Sequence, residues 1–331
     1  MGWSIEGLES VGGGGSVTDA PAWLRACAAA DSGKTVVLRH GDVALPLCLT
    51  KRHGLVVAAC LGQQRRSNAG PLGGTTGTMP PLAPHDFPET VDLVDFRRFP
   101  ALHRDNVLPQ CPSRLARFDI LHFGRRLEES EEAFLATLSK GTRKDLRYTV
   151  NRVNKIFGQD NVRVQTVRLT EDNWDETFCM AAAFARHTWQ GQANVSVLTE
   201  PGKKAFLLQL LQNAFPIRMH FQQFGDEIAA VAVTMEHKDT VLIYAHEYHM
   251  GYAKYQPGHI LNFAIIGEAI QNGLSWLDFG VGSTPHKYEW RCEPQELWRV
   301  MVPLTWKGWL ALTVQKLRWR LGDLRKSREQ I

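Results

Sequence analysis

One stretch of the chain, residues 241–290, constrains the fold more than any other part of the sequence. It begins with Val241–Tyr248, whose apolar and β-branched residues predict a buried strand. The breaker Tyr255–Gly258 follows and predicts the start of a helix at Gly258 or His259. Apolar residues at helical spacing carry that helix to Asn272-Gly273, and a second strand, Leu274–Phe279, comes next. The stretch therefore predicts a strand–helix–strand unit.

The turns of this unit are suited to a ligand. The second strand ends in Gly280-Val281-Gly282-Ser283, a loop that lets a ligand approach the backbone closely. The first turn of the helix presents unpaired N–H groups, which bind phosphate or carboxylate groups readily. Strand–helix–strand units with glycine-rich turns also occur throughout α/β proteins. These patterns therefore leave an anion site and a purely structural unit both open.

A specific succession of residue types runs through the same stretch. Pro257-Gly258 precedes the helix, and Leu277-Asp278-Phe279-Gly280-x-Gly282 and Pro285-x-Lys287-x-x-Trp290 follow it. This succession resembles the CelD-like branch of the GNAT superfamily of N-acyltransferases, which is related to the Fem-type aminoacyl-tRNA-dependent peptidyltransferases. The chain departs from the family pattern at Ser283, where the family usually has Asp, and at His286, where it usually has Tyr.

The resemblance implies an α/β (α+β) chain with the GNAT fold, built as two tandem GNAT-like lobes with mixed central sheets flanked by helices. Residues 1–160 would form an N-terminal lobe that ends in a basic helix. Residues 161–303 would form the C-terminal lobe with the acyl-donor cleft, and residues 304–331 a C-terminal amphipathic helix. Turn signals support the first lobe, since they predict three antiparallel strands, Thr35–His40, Val43–Thr50 and Leu55–Leu61.

Composition excludes several classes of protein. The 331 residues are 44% hydrophobic and 22% charged, as in an ordinary globular protein, and the net charge of +4 gives no case for DNA binding. The six cysteines form no CxxC pair, so we expect neither a metal site nor a disulfide framework, and a cytoplasmic location fits best. No window reaches the ~18 consecutive apolar residues of a membrane span, so we expect no integral membrane segment.

Acyl transfer from a thioester to an amine needs an oxyanion donor for the carbonyl, a base for the amine and an acid for the leaving thiolate. The candidates for catalysis are His246, Glu247, Asp278 and Lys287. His246 and Glu247 are neighbours on a strand, so they face opposite sides and only one can enter a cleft. Asp278 lies in an apolar strand, where an acid is costly unless it is paired. It either takes part in the chemistry or holds the neighbouring loop and Lys287.

Binding residues follow from the resemblance, which implies that the helix start holds the pyrophosphate of the cofactor. The residues expected to bind the cofactor are Tyr255, Gly258, His259 and Ile260, together with Arg143 and Arg147 as an anion track. The residues expected to bind the acceptor substrate are Arg186, Trp189, Tyr244 and His286.

Two basic segments have open roles. Glu128–Phe157 predicts one or two helices interrupted at Gly141, and its cations form either a solvated face or a surface for phosphate or tRNA. Thr305–Ser327 predicts an amphipathic helix with tryptophans and cations. We expect that helix to dock on its own domain, with peripheral membrane contact as the alternative.

The sequence therefore predicts an N-acyltransferase that transfers an acyl group from acyl-CoA, in the first place acetyl-CoA, to the amine of a small molecule, amino acid or sugar. A second interpretation is a Fem-type transferase that uses aminoacyl-tRNA as the donor and forms an amide or ester. A third is a non-catalytic GNAT-like subunit of a polysaccharide-assembly system.

Overall fold

A computed structural model describes residues 3–11, 16–66, 68–73, 78–88 and 90–328, with side chains up to residue 321. The strands of this described part are, in chain order, β1 (Ser4–Glu6), β2 (Lys34–His40), β3 (Val43–Arg52), β4 (Leu55–Cys60), β5 (Leu93–Pro100), β6 (Leu115–Arg126), β7 (Val162–Arg168), β8 (Ile217–Phe224), β9 (Glu227–His237), β10 (Thr240–Tyr248), β11 (Trp276–Val281) and β12 (Glu293–Pro303). The α-helices are α1 (Pro21–Ala30), α2 (Ala101–Arg104), α3 (Glu131–Thr137), α4 (Lys140–Phe157), α5 (Trp174–Ala185), α6 (Trp189–Gln192), α7 (Pro201–Gln212), α8 (Pro257–Gln271), α9 (Pro285–Glu289) and α10 (Trp306–Arg328).

The chain divides into two compact units. The first contains Met1–Gly14, Cys27–Leu121 and Gln295–Ile331, and the second contains Gly15–Ala26 and His122–Pro294. The units differ from the division expected from sequence, because α4 lies in the second unit and α10 in the first. That residue 160 ends an N-terminal lobe stays a prediction.

The first unit is a mixed sheet in the order β1-β2-β3-β4-β5-β12. The three predicted hairpin strands are confirmed as β2, β3 and β4, which pair antiparallel. β4 and β5 pair parallel, and β12, which sequence patterns did not predict, lies between β5 and residues 115–121 of β6 and pairs antiparallel with β5. Phe96 and Phe99 stack at 5.3 Å between ring centroids in a core that is fully closed to solvent.

The second unit has the strand order β6-β11-β10-β9-β8-β7, in which β6 contributes its residues 122–126. All pairs are antiparallel except β10 with β11. Helix α8 connects these two parallel strands, and residues all round it are buried, as its continuous apolar sequence requires. The predicted strand–helix–strand unit is therefore confirmed, and both units are mixed α/β as expected.

The basic segment forms two helices, but its break is not at the predicted glycine. α3 ends at Thr137, and Ser139 begins α4 by accepting the N–H of Thr142 on its hydroxyl at 3.0 Å. Gly141 lies inside the first turn of α4. The serine cap, rather than the flexibility of glycine, sets the boundary.

Candidate active site

The parallel pair of the second unit opens after three residue pairs. β10 and β11 pair from Thr240 with Trp276 to Leu242 with Asp278, and the pairing ends there. Both strands have an irregularity immediately afterwards. β10 carries Tyr244 as an extra residue against β9, and β11 carries Phe279 as an extra residue against β6. Such bulges bend a strand and re-aim its side chains, so they account for the separation of the two strands.

A cavity of about 600 Å³ lies where the strands separate. Its wall comes from the second half of β10, the end of β11, the start of α8, α9 and the start of α6. The lining residues that enter the argument are Gln190, His246, His259, Asn262, His286 and Lys287.

The start of α8 approaches β10 closely. Gln256 precedes the helix in the left-handed conformation with φ of 49°, and Pro257 takes the first helical position. Gly258 follows, and a Cβ at this position would lie 2.5 Å from Cε1 of His246. Only glycine lets the first turn of α8 reach the imidazole.

Three histidines face one another in the cavity. The ring centroid of His286 lies 6.4 Å from that of His246 and 6.5 Å from that of His259. Burial lowers the pKa of His246 to about 3, and burial together with the charge of Lys287 lowers that of His286 to about 4. Burial also lowers the pKa of His259, although Glu289 at 3.4 Å opposes this. The imidazoles are therefore neutral at physiological pH.

Several buried polar atoms of the cavity have no hydrogen-bond partner among the residues that the structure describes. They are Nε2 of His246, Oε1 of Gln190 and Oδ1 of Asn262, which is only 1% exposed. The amide nitrogen of Gln190 donates to the carbonyl of His246 at 3.1 Å, which fixes the direction of that side chain. Buried polar groups are almost always paired in native proteins, so these three atoms mark a place for a polar ligand.

Lys287 is buried at one end of the cavity. Its Nζ donates to the carbonyls of Val281 at 2.9 Å and Gly280 at 3.3 Å, and it lies 5.3 Å from the ring centroid of Phe123. Burial lowers the pKa of Lys287 to about 8, while the negative charge of Asp278 opposes that shift. An ammonium has three N–H groups, so two are used by the loop and one is left for a ligand.

Asp278 is buried beside the cavity but does not line it. Its Oδ1 is 2.8 Å from Nε2 of His122 and accepts the N–H of Gly280 at 2.6 Å. Asp278 therefore ties the end of β11 to β6 and fixes the loop that holds Lys287. Sequence reasoning gave Asp278 two readings, and the structure supports the one in which it holds the neighbouring loop.

Glu247 lies on the face of β10 opposite His246, as strand alternation predicts. Its carboxylate accepts from the hydroxyls of Ser196 at 2.6 Å and Thr188 at 2.9 Å, and all three residues are buried. The residue is outside the cavity lining. This placement leaves His246 as the member of the pair that faces the cavity.

The other expected site residues separate into two groups. Trp189, Tyr244, Gly258, His259 and His286 line the cavity. Tyr255 and Ile260 pack instead in a cluster with Val153 and Phe224, while Arg143, Arg147 and Arg186 are exposed and do not line the cavity.

Sequence reasoning missed Gln190, Asn262 and His122. Asn262 had a visible signal, because it is a polar residue in the otherwise apolar run Ile260–Ile266 of a buried helix. His122 and Asp278 are 156 positions apart, and no local pattern joins them. Among the described residues, no group of three or more His, Cys, Asp or Glu side chains is arranged to hold a metal ion.

A family model described as an acetyltransferase (GNAT) domain matches residues 140–288, which include every cavity-lining residue except Glu289. No curated protein matches the chain.

Solved structures share the fold at low sequence identity. FemX has a TM-score of 0.57 at 7% identity and covers 88% of this chain and 93% of its own. L-PGS from Bacillus licheniformis has a TM-score of 0.53 at 12% identity, with 89% and 94% covered. The C-terminal domain of a putative lysylphosphatidylglycerol synthetase from Agrobacterium fabrum has a TM-score of 0.50 at 11% identity, with 88% and 90% covered. Residues 140–288 are thus similar to a GNAT acetyltransferase domain, and the solved structures share the fold of the chain.

Proposed function

We propose that the chain is an N-acyltransferase that takes an acyl group from acyl-CoA, with acetyl-CoA as the simplest donor, and transfers it to a primary amine. The observation that carries this proposal is the cavity between the separated strands β10 and β11, which opens in front of the first turn of α8. The helix start suits the pyrophosphate of the donor, because the positive end of the helix dipole favours an anion, although the N–H groups of His259 and Ile260 are bonded to the carbonyl of Gln256. Gly258 is the residue we expect nearest to it.

The free edge of β10 suits the thioester. The carbonyl of His246 accepts from Gln190, so this carbonyl points away from β9. Both backbone groups of a residue in an antiparallel strand face the same edge, and the N–H of His246 therefore faces the cavity side as well. We assign this N–H to the acyl carbonyl oxygen, where it would stabilise the charge that develops during attack.

The unpartnered acceptor atoms suit the amine. Nε2 of His246, Oε1 of Gln190 and Oδ1 of Asn262 are hydrogen-bond acceptors, and an amine or ammonium supplies the donors that they lack. The amine nitrogen attacks the thioester carbon, and His246 takes its proton as the C–N bond forms. The C–S bond breaks, Lys287 protonates the thiolate, and the proton on His246 then returns to Lys287 through solvent. Tyr244, Trp189 and His286 would enclose the acceptor.

Thermal unfolding with ligands tests the donor. A ligand at a hundred times its dissociation constant stabilises the folded state by about 2.7 kcal/mol. We expect acetyl-CoA to raise the melting temperature of the purified chain, and we expect the rise to be smaller in Lys287→Met but unchanged in the surface variant Lys307→Met. A chain that acyl-CoA of any length leaves unshifted would contradict the proposal.

The exposed cations of α4 favour a second candidate, an aminoacyl-tRNA donor as in Fem-type transferases. Arg143 and Arg147 are both exposed on this helix. Each phosphate that a protein contacts releases counterions, and this release makes binding depend on salt. Binding of tRNA should therefore weaken steeply between about 50 and 200 mM salt, whereas CoA binding should weaken much less. A melting shift with charged tRNA alone, lost in Arg143→Ala/Arg147→Ala, would move the donor assignment to tRNA.

A further inference from the structure

Up to residue 321, where its side chains are described, helix α10 packs on the first unit with one face. Leu312 is 1% exposed and packs with Leu93 and Met301. The ring of Trp319 lies 5.2 Å from the guanidinium carbons of both Arg117 and Arg299. The sequence predicted that this helix docks on the chain itself, and α10 makes that contact through this face.

The opposite face of α10 is apolar and exposed. Trp306 is 73% exposed, Trp309 55% and Leu321 61%. Large side chains at spacings of three and four residues fall on one side of a helix, and here they form a continuous stripe. The members of this stripe are Trp306, Trp309, Leu310, Val314, Leu317 and Leu321.

Cations border the stripe. Lys307, Lys316, Arg318 and Arg320 are exposed, and the sequence from Trp306 to Leu321 contains no Asp or Glu. At about 100° per residue, Lys307 and Arg318 fall on one border, and Lys316 and Arg320 fall towards the other. A stripe of Trp and Leu between two basic borders is the pattern of a helix that lies flat in a lipid interface.

We propose that α10 seats the chain on an anionic lipid surface, with the stripe among the headgroups and upper acyl chains and the bordering cations against lipid phosphates. A second copy of the chain is a poorer occupant. Two such stripes in contact would bring basic borders together, with no acidic residue between Trp306 and Leu321 to offset them. Among the described residues, no helix is long and apolar enough to cross a bilayer. The proposal is therefore contact in the plane of the interface.

Flotation of the purified full chain with lipid vesicles tests this proposal. Vesicles of phosphatidylcholine alone are compared with vesicles that also contain phosphatidylglycerol, at low and high salt. We expect binding to the anionic vesicles that weakens with salt. We expect a loss of at least tenfold in Trp306→Ser/Trp309→Ser, and a loss of about fivefold for each cation removed in Lys316→Gln/Arg318→Gln.

The matched control removes two exposed apolar side chains elsewhere, Leu102→Ser/Ile156→Ser, which are 62% and 51% exposed in the parent. It should float like the parent chain, and circular dichroism should show equal folding for all variants. The proposal is overturned if the parent chain does not float, if both tryptophan and cation variants float like it, or if neutral vesicles bind it equally well. It is also overturned if the stripe is an interface between copies, seen as a dimer by light scattering that Trp306→Ser/Trp309→Ser dissociates while no vesicle binding occurs.

Discussion

The described part of each unit contains a pair of parallel strands, and the two pairs differ in how nearby oxygen and nitrogen acceptors are bonded. In the first unit, β4 and β5 border a pocket of about 340 Å³ whose acids are paired. Asp31 accepts a hydrogen bond from Arg65, and Asp95 accepts hydrogen bonds from Nε and Nη2 of Arg299, each at 2.7 Å. In the second unit, β10 and β11 border a cavity in which Nε2 of His246 and Oδ1 of Asn262 find no partner within the described part of the chain.

The connections between the strands differ as well. α8 joins β10 to β11 and brings its first turn to the cavity. Between β4 and β5, the described residues of 61–92 contain a short 3-10 turn at Pro84–Asp86 and no α-helix. A parallel pair is therefore not enough for a binding site. The helix start and the unpartnered acceptors distinguish the pair that we expect to bind a ligand.

The largest effect on turnover should come from Lys287, the one cation of the cavity that we assign to proton transfer. Lys287→Met keeps the length of the side chain and removes the acid. We expect kcat to fall by about 10²-fold or more, measured as the release of CoA thiol, because positioned general acids contribute about 10²–10⁴. Arg65→Met, which removes a paired cation from the other pocket, is the control. Equal losses in both variants would erase the contrast between the two strand pairs.

The second largest effect should be the dependence of turnover on pH, which follows the pKa of Lys287. Burial lowers this pKa to about 8 from 10.5. Turnover should fall as pH rises above about 8, by about tenfold per pH unit, because the protonated acid is lost. The free energy of unfolding should change in the opposite direction, since the unfolded state binds more protons than the folded state between about pH 8 and 10.5. Urea denaturation across this range should show a rise for the parent chain that Lys287→Met lacks.

Variants of Asp278 and of its partner His122 distinguish a positioning role of Asp278 from a catalytic one. His122→Phe removes one of the two partners of the Asp278 carboxylate and leaves only the N–H of Gly280, and we expect a loss of about 3 kcal/mol in the free energy of unfolding, because a buried charge loses its side-chain partner. Turnover should fall by about tenfold as the loop that anchors Lys287 shifts. The double variant His122→Phe/Asp278→Leu should regain part of the stability. A drop of more than 100-fold in Asp278→Asn with unchanged stability would instead make Asp278 a catalytic residue.

Substitution of Asn262 should have a smaller effect, and it should stabilise the fold. Asn262→Leu should raise the free energy of unfolding by about 1 kcal/mol, because a buried oxygen without a partner is replaced by an apolar group. The same variant should raise the KM for the amine by about tenfold. Thr188→Val provides the contrast, since its hydroxyl is bonded to Glu247 and its loss should destabilise the chain. If Asn262→Leu destabilises as Thr188→Val does, the cavity is not a place of unpartnered polar groups.

The smallest effect on turnover should come from the first unit. Arg299→Met breaks the pairing with Asp95 and should lower the free energy of unfolding by about 2 kcal/mol. Because this pair lies in the first unit and outside the cavity of the second, kcat should stay within about twofold of the parent value. A tenfold loss at equal folding would show that the paired pocket also serves the reaction.

Local patterns predicted the elements around the cavity well. The apolar run of β10, the Pro257-Gly258 start of α8 and the glycines after β11 are each set by a few adjacent residues. The same patterns did not predict β12, which is placed by its pairing with the distant β5. They also missed the partner of Asp278 and the role of Gln190, because both depend on which strands and helices meet. Resemblance supplied the expected GNAT fold, and the structure shows that His246, and not Glu247, lines the cavity.

Calorimetric titration of acetyl-CoA into the parent chain and two glycine variants shows most directly whether the donor binds where the start of α8 meets β10. Gly258 and Gly202 each follow the proline that opens a helix, but a Cβ at Gly258 meets the His246 ring at 2.5 Å, whereas a Cβ at Gly202 meets only the Glu200 side chain at 3.8 Å. We expect one acetyl-CoA to bind per chain in the parent and in Gly202→Ala, and binding at least tenfold weaker in Gly258→Ala. Equal affinity in all three proteins would show that the donor does not bind where α8 meets β10.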